Sequence, residues 1–396
     1  EELKTQETRM KPELAEAVAR HLPQIVVLRR FLHQIPEASM AEKKTSAALL
    51  GVLHELGLTV RENLAGTGLL ATLETGRPGP FVMLRADMDA LPIEERTQVP
   101  YRSRHQGYGH ACGHDGHCAA VVGAARVLAD LREELTGSVG FLFQPGEEVS
   151  RGAREMLAGG LFSHKLPDAI FTLHGWPHLP VGTVACKRGT IMAATDTFTL
   201  TVHGEGGHGA RPAMAKNPLR GVARVAERFM DMTTDQRVVS PCVARVGHKD
   251  NVIDETGTLV GTTRNLTADS RARTMAEMRE VATSTCQELG MTAELSFVPG
   301  CPPVVIRDAL YDRFVEIGGQ LLGPEHVVEL QTPSMESEDF GCYLEHVPGL
   351  LFRLGLGEPS PELHNPCFDF NDEALATGVT VLVGLVLDRC QAGAQG

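Results

Sequence analysis

The first long run of mixed polarity lies at 12–34. There Leu14, Val18, Leu22, Ile25 and Val26 recur near a 3.6-residue period, so the spacing predicts an amphipathic helix. A second helix is expected over 44–56, stopped by Gly57. Two strand-like runs follow, GLLATLET (68–75) and FVMLRADMDA (81–90). The stretch FVML is apolar without a break, as in a strand buried on both faces. CAAVVGAARVLADL (118–131) reads as a long apolar helix, and SVGFLFQ (138–144) and DAIFTLHG (168–175) read as strands. This alternation of strand and helix predicts an α/β domain with a mostly parallel sheet and helices on both faces.

The pattern changes near 194. TDTFTLTVHG (195–204) alternates like a half-exposed strand, and NPLRGVARVAERFMDM (217–232) is an amphipathic helix. VVSPCVARVG (238–247) and GTLVGTTRNL (257–266) read as strands, 271–289 as a helix and TAELSFV (292–298) as a last strand. The order strand, helix, two strands, helix, strand is that of a ferredoxin-like α+β unit with an antiparallel sheet. After PGCPP (299–303) the earlier style returns with LYDRFVEIGGQLL, GLLFRLGLG and a closing helix in 372–390. The expected organisation is one discontinuous α/β domain, 1–193 plus 304–396, interrupted by an inserted domain at 194–303.

Length and composition fit this picture. At 396 residues the chain suits two domains, and 42% hydrophobic with 22% charged residues is ordinary for a globular protein. No stretch approaches the roughly 18 consecutive apolar residues of a membrane span, and the N-terminal segment is charged, without an apolar signal core. A formal net charge of −13 argues against a nucleic-acid partner. The nine cysteines are odd in number and scattered, which points to reduced thiols in the cytoplasm, most of them core residues.

Candidate chemistry sits where the apolar runs end. Ligands of open parallel sheets gather at the carboxyl ends of strands. RADMDALP follows FVML, QPGEE (144–148) follows SVGFLF, LHGWP (173–177) follows DAIFT, and LHNP (363–366) follows GLLFRLG after a loop. Between the first two lies GHACGHDGH (109–117), where Cys112 and His114 are two apart. Glu147 and Glu148 are neighbours, and in an extended segment neighbours point to opposite sides, so one could bind metal while the other faces a water. His174 and His364 add imidazoles. A thiolate, a carboxylate and three imidazoles suit Zn²⁺, with Mn²⁺ or Co²⁺ as substitutes. Five donors exceed what one tetrahedral catalytic ion takes, and they suit two ions sharing a ligand such as Cys112. His110 and His117 rank lower as ligands, and Asp115 is a candidate to hold a ligand imidazole. Trp176, Phe143 and Met192 are candidates for an acyl pocket or for the core.

At these residues the sequence resembles the co-catalytic metallopeptidases related to aminoacylase (peptidase family M-twenty). It is most similar to the amidohydrolase branch with the hippurate hydrolases and plant indoleacetyl-amino-acid hydrolases. The matching motifs are RRFLHQIPE (29–37), LRADMDALPI (84–93), GHACGHDGH, FQPGEE (143–148), LHGWP, GGHGARP (206–212), NVI (251–253), GTTR (261–264), SEDF (337–340) and LHNPCFDFND (363–372). The resemblance implies that Cys112, His114, Glu148, His174 and His364 are the metal ligands and Glu147 the general base. It implies Cys112 as the bridge, His114 and His174 on one ion, and Glu148 and His364 on the other. Asp89, and after it Asp87, takes the place of a metal-orienting carboxylate.

The resemblance further implies that the inserted domain is a lid and forms a homodimer. His208 would then donate to the scissile carbonyl in the partner's site, while Asn251 and Arg264 grip the substrate carboxylate. Three positions depart from the family pattern: Asp254 after NVI, Ala213 after GARP, and Asn217 before Pro218. The implied activity is hydrolysis of N-acyl amino acids of the hippurate kind. A carboxypeptidase or dipeptidase of the same family is the alternative enzyme, and a non-catalytic binding scaffold the alternative of another class.

Overall fold

An eight-stranded sheet forms the base of the first of two units. Its spatial order is Thr59–Leu64, Gly68–Glu74, Ser138–Gln144, Phe81–Asp87, Ala169–Trp176, Gly349–Gly355, Val184–Cys186 and Val327–Glu329. The four central strands run parallel. The first two strands form an antiparallel flank, and Val184–Cys186 runs antiparallel to Gly349–Gly355. The mostly parallel character therefore belongs to the centre, where every residue of Phe81–Asp87, Ser138–Gln144 and Gly349–Gly355 is buried. The computed structural model describes residues 2–392, with side chains over 12–390.

Three helices, Glu2–His33, His114–Asp130 and Ala374–Ala392, pack on one another, and the last two also lie on the central strands. The middle one begins four residues before the expected 118. Its cap, Gly113, sits in the left-handed region at φ 87°, so the glycine turn of the histidine motif feeds directly into the helix. His114 thus stands on the first turn of the helix rather than on a loop with Cys112, and His117, expected at the helix start, lies on the same turn. The strand expected over 81–90 stops at Asp87. Thr59–Leu64 is a polar flanking strand that hydrophobic pattern does not reveal.

The second unit comprises Thr190–Val304 and Thr332–Gly341, and the first Glu1–Gly189, Val305–Gln331 and Cys342–Gly396. Segment Thr332–Gly341, which lies outside the expected insertion 194–303, belongs to this unit, where Ala193 N–H donates to Ser334 O (3.1 Å) and Glu336 O (2.9 Å). The unit holds an antiparallel sheet in the order Arg237–Val246, Thr256–Asn265, Ala194–His203, Thr292–Pro299. Its core joins Phe198, Leu200 and Val202 of the sheet to Val222, Val225 and Phe229 of helix Pro218–Met230, and to Met278 of helix Ala268–Glu288. Asn217 Oδ1 and Thr267 Oγ1 cap these helices.

Candidate metal centre

The four parallel strands deliver their polar residues to one rim, as open sheets do. Asp87 ends its strand, Glu147 and Glu148 follow Gln144, and His174 lies two residues before the end of its own strand. The loop after Gly355 carries His364, which has a left-handed backbone (φ 64°). Its N–H donates to Ala111 O at 2.7 Å, so the two segments bearing Cys112 and His364 are joined by their backbones.

Donor atoms converge in two triads. Those of Cys112, His114 and His174 lie within 4.8 Å of one another, and so do those of Cys112, Glu148 and His364. Cys112 belongs to both. Its Sγ is 3.6 Å from His174 Nε2. Glu148 Oε1 is 3.8 Å from His114 Nε2, and Oε2 is 3.6 Å from His364 Nε2. His174 Nδ1 donates to Gly175 O at 2.8 Å, which leaves the Nε2 lone pair facing Cys112. Burial and the neighbouring His117 hold this imidazole well below its usual pKa, hence neutral and ready to ligate. His114 Nδ1 donates to Asp89 O at 2.8 Å and turns Nε2 toward Glu148.

The charge balance asks for a cation. Burial opposes protonation of His114, yet the carboxylates of Asp87, Asp89 and Glu148 override it and raise its pKa to about 10. Burial, followed by Glu148, Glu147 and Asp87, pushes the Cys112 thiol well above its ordinary value. A pocket that favours positive charge at an imidazole and resists a bare thiolate is one that divalent ions neutralise. Of the buried atoms without a hydrogen-bond partner among the described residues, two belong to these triads, His114 Nε2 and Glu148 Oε1. Orphans of this kind cost about 1–3 kcal/mol each unless a ligand satisfies them. The donor set therefore fits metal.

The supporting residues divide by role. Asp89 accepts from Ser39 Oγ (2.6 Å) and from the backbone N–H of both Glu147 and Glu148 (3.1 Å each). It thereby fixes the turn that presents both glutamates. Glu147 is buried, with a carboxylate oxygen in a common cluster with His114 and Glu148. Asp87 is held by Arg85 (2.8 Å) and by His117 Nδ1 (2.7 Å). His117 accepts from Gly175 N–H through Nε2 (2.8 Å), so both its nitrogens are engaged in hydrogen bonds within the protein, although it groups with Asp87 and His114 by distance. Asp115 holds an imidazole, but that of His33 (2.8 Å) rather than of any of the five candidate ligands. His110 is buried, neither of its nitrogens has a partner among the described residues, and burial lowers its pKa to about 4.

The remaining candidates lie elsewhere. His208, Asn251 and Arg264 belong to the second unit. There Ala210 N–H donates to His208 Nδ1 (3.0 Å), which leaves Nε2–H as the free donor. Gly209 N–H donates to Asn251 O (2.9 Å), and Arg264 Nη1 donates to Ser337 Oγ (2.7 Å). Phe143 and Met192 are buried core residues. Trp176 is half-buried and carries the Arg353 guanidinium 3.5 Å above its ring. Arg29, His33 and Phe370, for which no role is expected from the sequence, are buried beside these segments. The available signal was polar Arg29 and His33 continuing the buried stripe of Leu14, Val18 and Ile25 on the first helix.

A parallel-sheet unit with two donor triads at its strand ends defines a dinuclear metallohydrolase. The chain belongs to peptidase family M20/M25/M40, whose profile matches residues 83–388. It is 34% identical to N-acetyl-L-cysteine deacetylase of Bacillus subtilis over 89% of this chain and 85% of that one. It is 33% identical to IAA-amino acid hydrolase ILR1-like 2 of Arabidopsis thaliana over 90% and 83%. The crystal structure of YxeP from Bacillus subtilis, a dinuclear metal-binding peptidase of the same family, superposes with a TM-score of 0.84 at 30% identity, covering 94% and 99%.

Proposed function

We propose that this hydrolase cleaves the amide bond of N-acyl amino acids, hippurate-like substrates among them, to a carboxylic acid and a free amino acid. The observation that carries the reading is the pair of donor triads sharing Cys112. In this reading Cys112, His114 and His174 would hold one ion, and Cys112, Glu148 and His364 the other. Zn²⁺ suits thiolate and imidazole donors first, with Mn²⁺ or Co²⁺ as substitutes. When bound, such a pair of ions polarises the amide carbonyl and acidifies water. The side chains do the rest. Glu147, backed through its N–H by Asp89, takes the proton from water and returns it to the departing amine nitrogen. The partner subunit's His208, with Nε2–H as donor, stabilises the oxyanion, and Asn251 and Arg264 hold the substrate carboxylate. The cytoplasmic setting rests on the sequence, whose nine cysteines are odd in number and scattered. Among the described residues no helix is long and apolar enough to cross a membrane.

The test is a panel of N-acyl amino acids and dipeptides with the purified protein, run with and without a chelator. Chelation abolishes hydrolysis, and Glu147→Gln lowers kcat by about 10²–10⁴-fold while keeping two ions per chain by mass spectrometry. Wild-type turnover in that variant removes Glu147 as the base. A preference for dipeptides over acyl substrates transfers the chain to the peptidase reading.

A further inference from the structure

Three motifs far apart in sequence meet at one buried guanidinium. Arg29, on the first helix, is fully buried. Its Nε lies 3.0 Å from Asp115 Oδ2, Nη1 lies 3.4 Å from Asp372 Oδ1, and Nη2 donates to Asp369 Oδ1. Burial alone works against its charge, and the three carboxylates overcome that and hold it as a cation. The surroundings are built for this geometry. Tyr101 Oη donates to Asp369 Oδ2 (2.9 Å), Arg30 Nε donates to Asp372 Oδ2 (2.8 Å), and His33 bonds Asp115.

Asp115 follows His114 on its helix. Asp369 and Asp372 lie five and eight residues past His364. Between them Phe370 is buried against Gly113, Gly116 and Gly175, where a Cβ would come within 3.1, 2.4 and 2.9 Å of its ring. His114 and His174 have hydrogen bonds of their own to backbone oxygens. Half of the His364 side chain is exposed, and its place is set by its loop. Whatever anchors that loop sets the second triad.

We propose that Arg29 is a positioning residue of the metal centre: by clasping Asp369 and Asp372 to Asp115, it fixes His364 opposite Cys112 and Glu148. The proposal rests on the two-ion reading, and the two fail separately. The measurement is a Zn²⁺ titration of metal-stripped full-length protein by calorimetry, with circular dichroism as the check on folding. His364→Ala identifies which of the two binding steps uses His364. Arg29→Met is expected to weaken that step by about 10- to 100-fold and to leave the other unchanged. If the wild type takes up fewer than two ions, the two-ion reading falls. If it takes up two, and folded Arg29→Met keeps both affinities or loses both equally, the positioning role falls. Should Arg29→Met not fold, Asp369→Asn decides. This variant keeps the contacts to Asp115 and Asp372, and it must weaken the same step selectively or the proposal is overturned.

Discussion

Asp89 concentrates three constraints in one carboxylate: a serine hydroxyl and two consecutive backbone N–H groups converge on it. Neighbouring glutamates can then serve different ends because their backbone, not their side chains, is fixed. His33 illustrates the opposite use of charge. Burial disfavours its cation, but Asp115 and Glu95 outweigh it and raise the pKa to about 9. In the unfolded chain an imidazole titrates near 6.5. The ion pair therefore contributes fully below about pH 6.5 and is lost as pH rises through about 9, a change on the order of 3 kcal/mol. Asp115 is shifted the other way; burial is overcome by Arg29 and His33. Its share is present above the ordinary carboxylate range and fades in acid. Thermal melting from pH 6.5 to 9.5 should show stability declining, and His33→Gln should flatten that decline. An unchanged slope in the variant would show that other groups govern it.

Among elements, the helix His114–Asp130 links chemistry to packing. Its first turn carries His114, Asp115 and His117, and each faces a different partner. Gly116 completes the turn by making room for Phe370. A methyl group there would meet ring carbons at 2.4 Å. Overpacking of this sort costs about 1–3 kcal/mol. Gly116→Ala is expected to lower the melting temperature and to cut activity, because the displaced ring belongs to the loop that bears His364. Equal melting temperature and activity in the variant would mean that the loop adapts without cost. In the second unit the helix Pro218–Met230 docks through Val222, Val225 and Phe229, with Phe229 edge-on to Phe198 at 5.4 Å.

For the whole molecule, the candidate residues are distributed over both units. The first gathers the metal donors, and the second contains His208, Asn251 and Arg264. The proposed homodimer would use the second unit. Its sheet ends at Arg237–Val246, where Cys242, Val243, Ala244 and Arg245 are exposed. An open edge of this kind offers backbone donors and acceptors to another strand. Sedimentation velocity should give twice 42.7 kDa, and His208→Ala should lower turnover without changing metal content. A monomeric active enzyme would exclude a partner's His208 from the reaction.

The sequence by itself determined the candidate donor types, their order along the chain and, for Glu148, His174 and His364, the strands that precede them. Cys112, His114, Glu148, His174 and His364 stand out because metal chemistry selects few residue types, and apolar runs mark the strands before three of the four clusters. The α/β unit and the inserted strand–helix order were legible for the same reason, since burial imposes periodicity. Only the tertiary structure decided which nitrogens remain available, that Asp115 serves His33, that Phe143 and Met192 are core, and that Arg29 reaches Asp369 across 340 residues. Those outcomes depend on distances and desolvation between segments that no local pattern encodes.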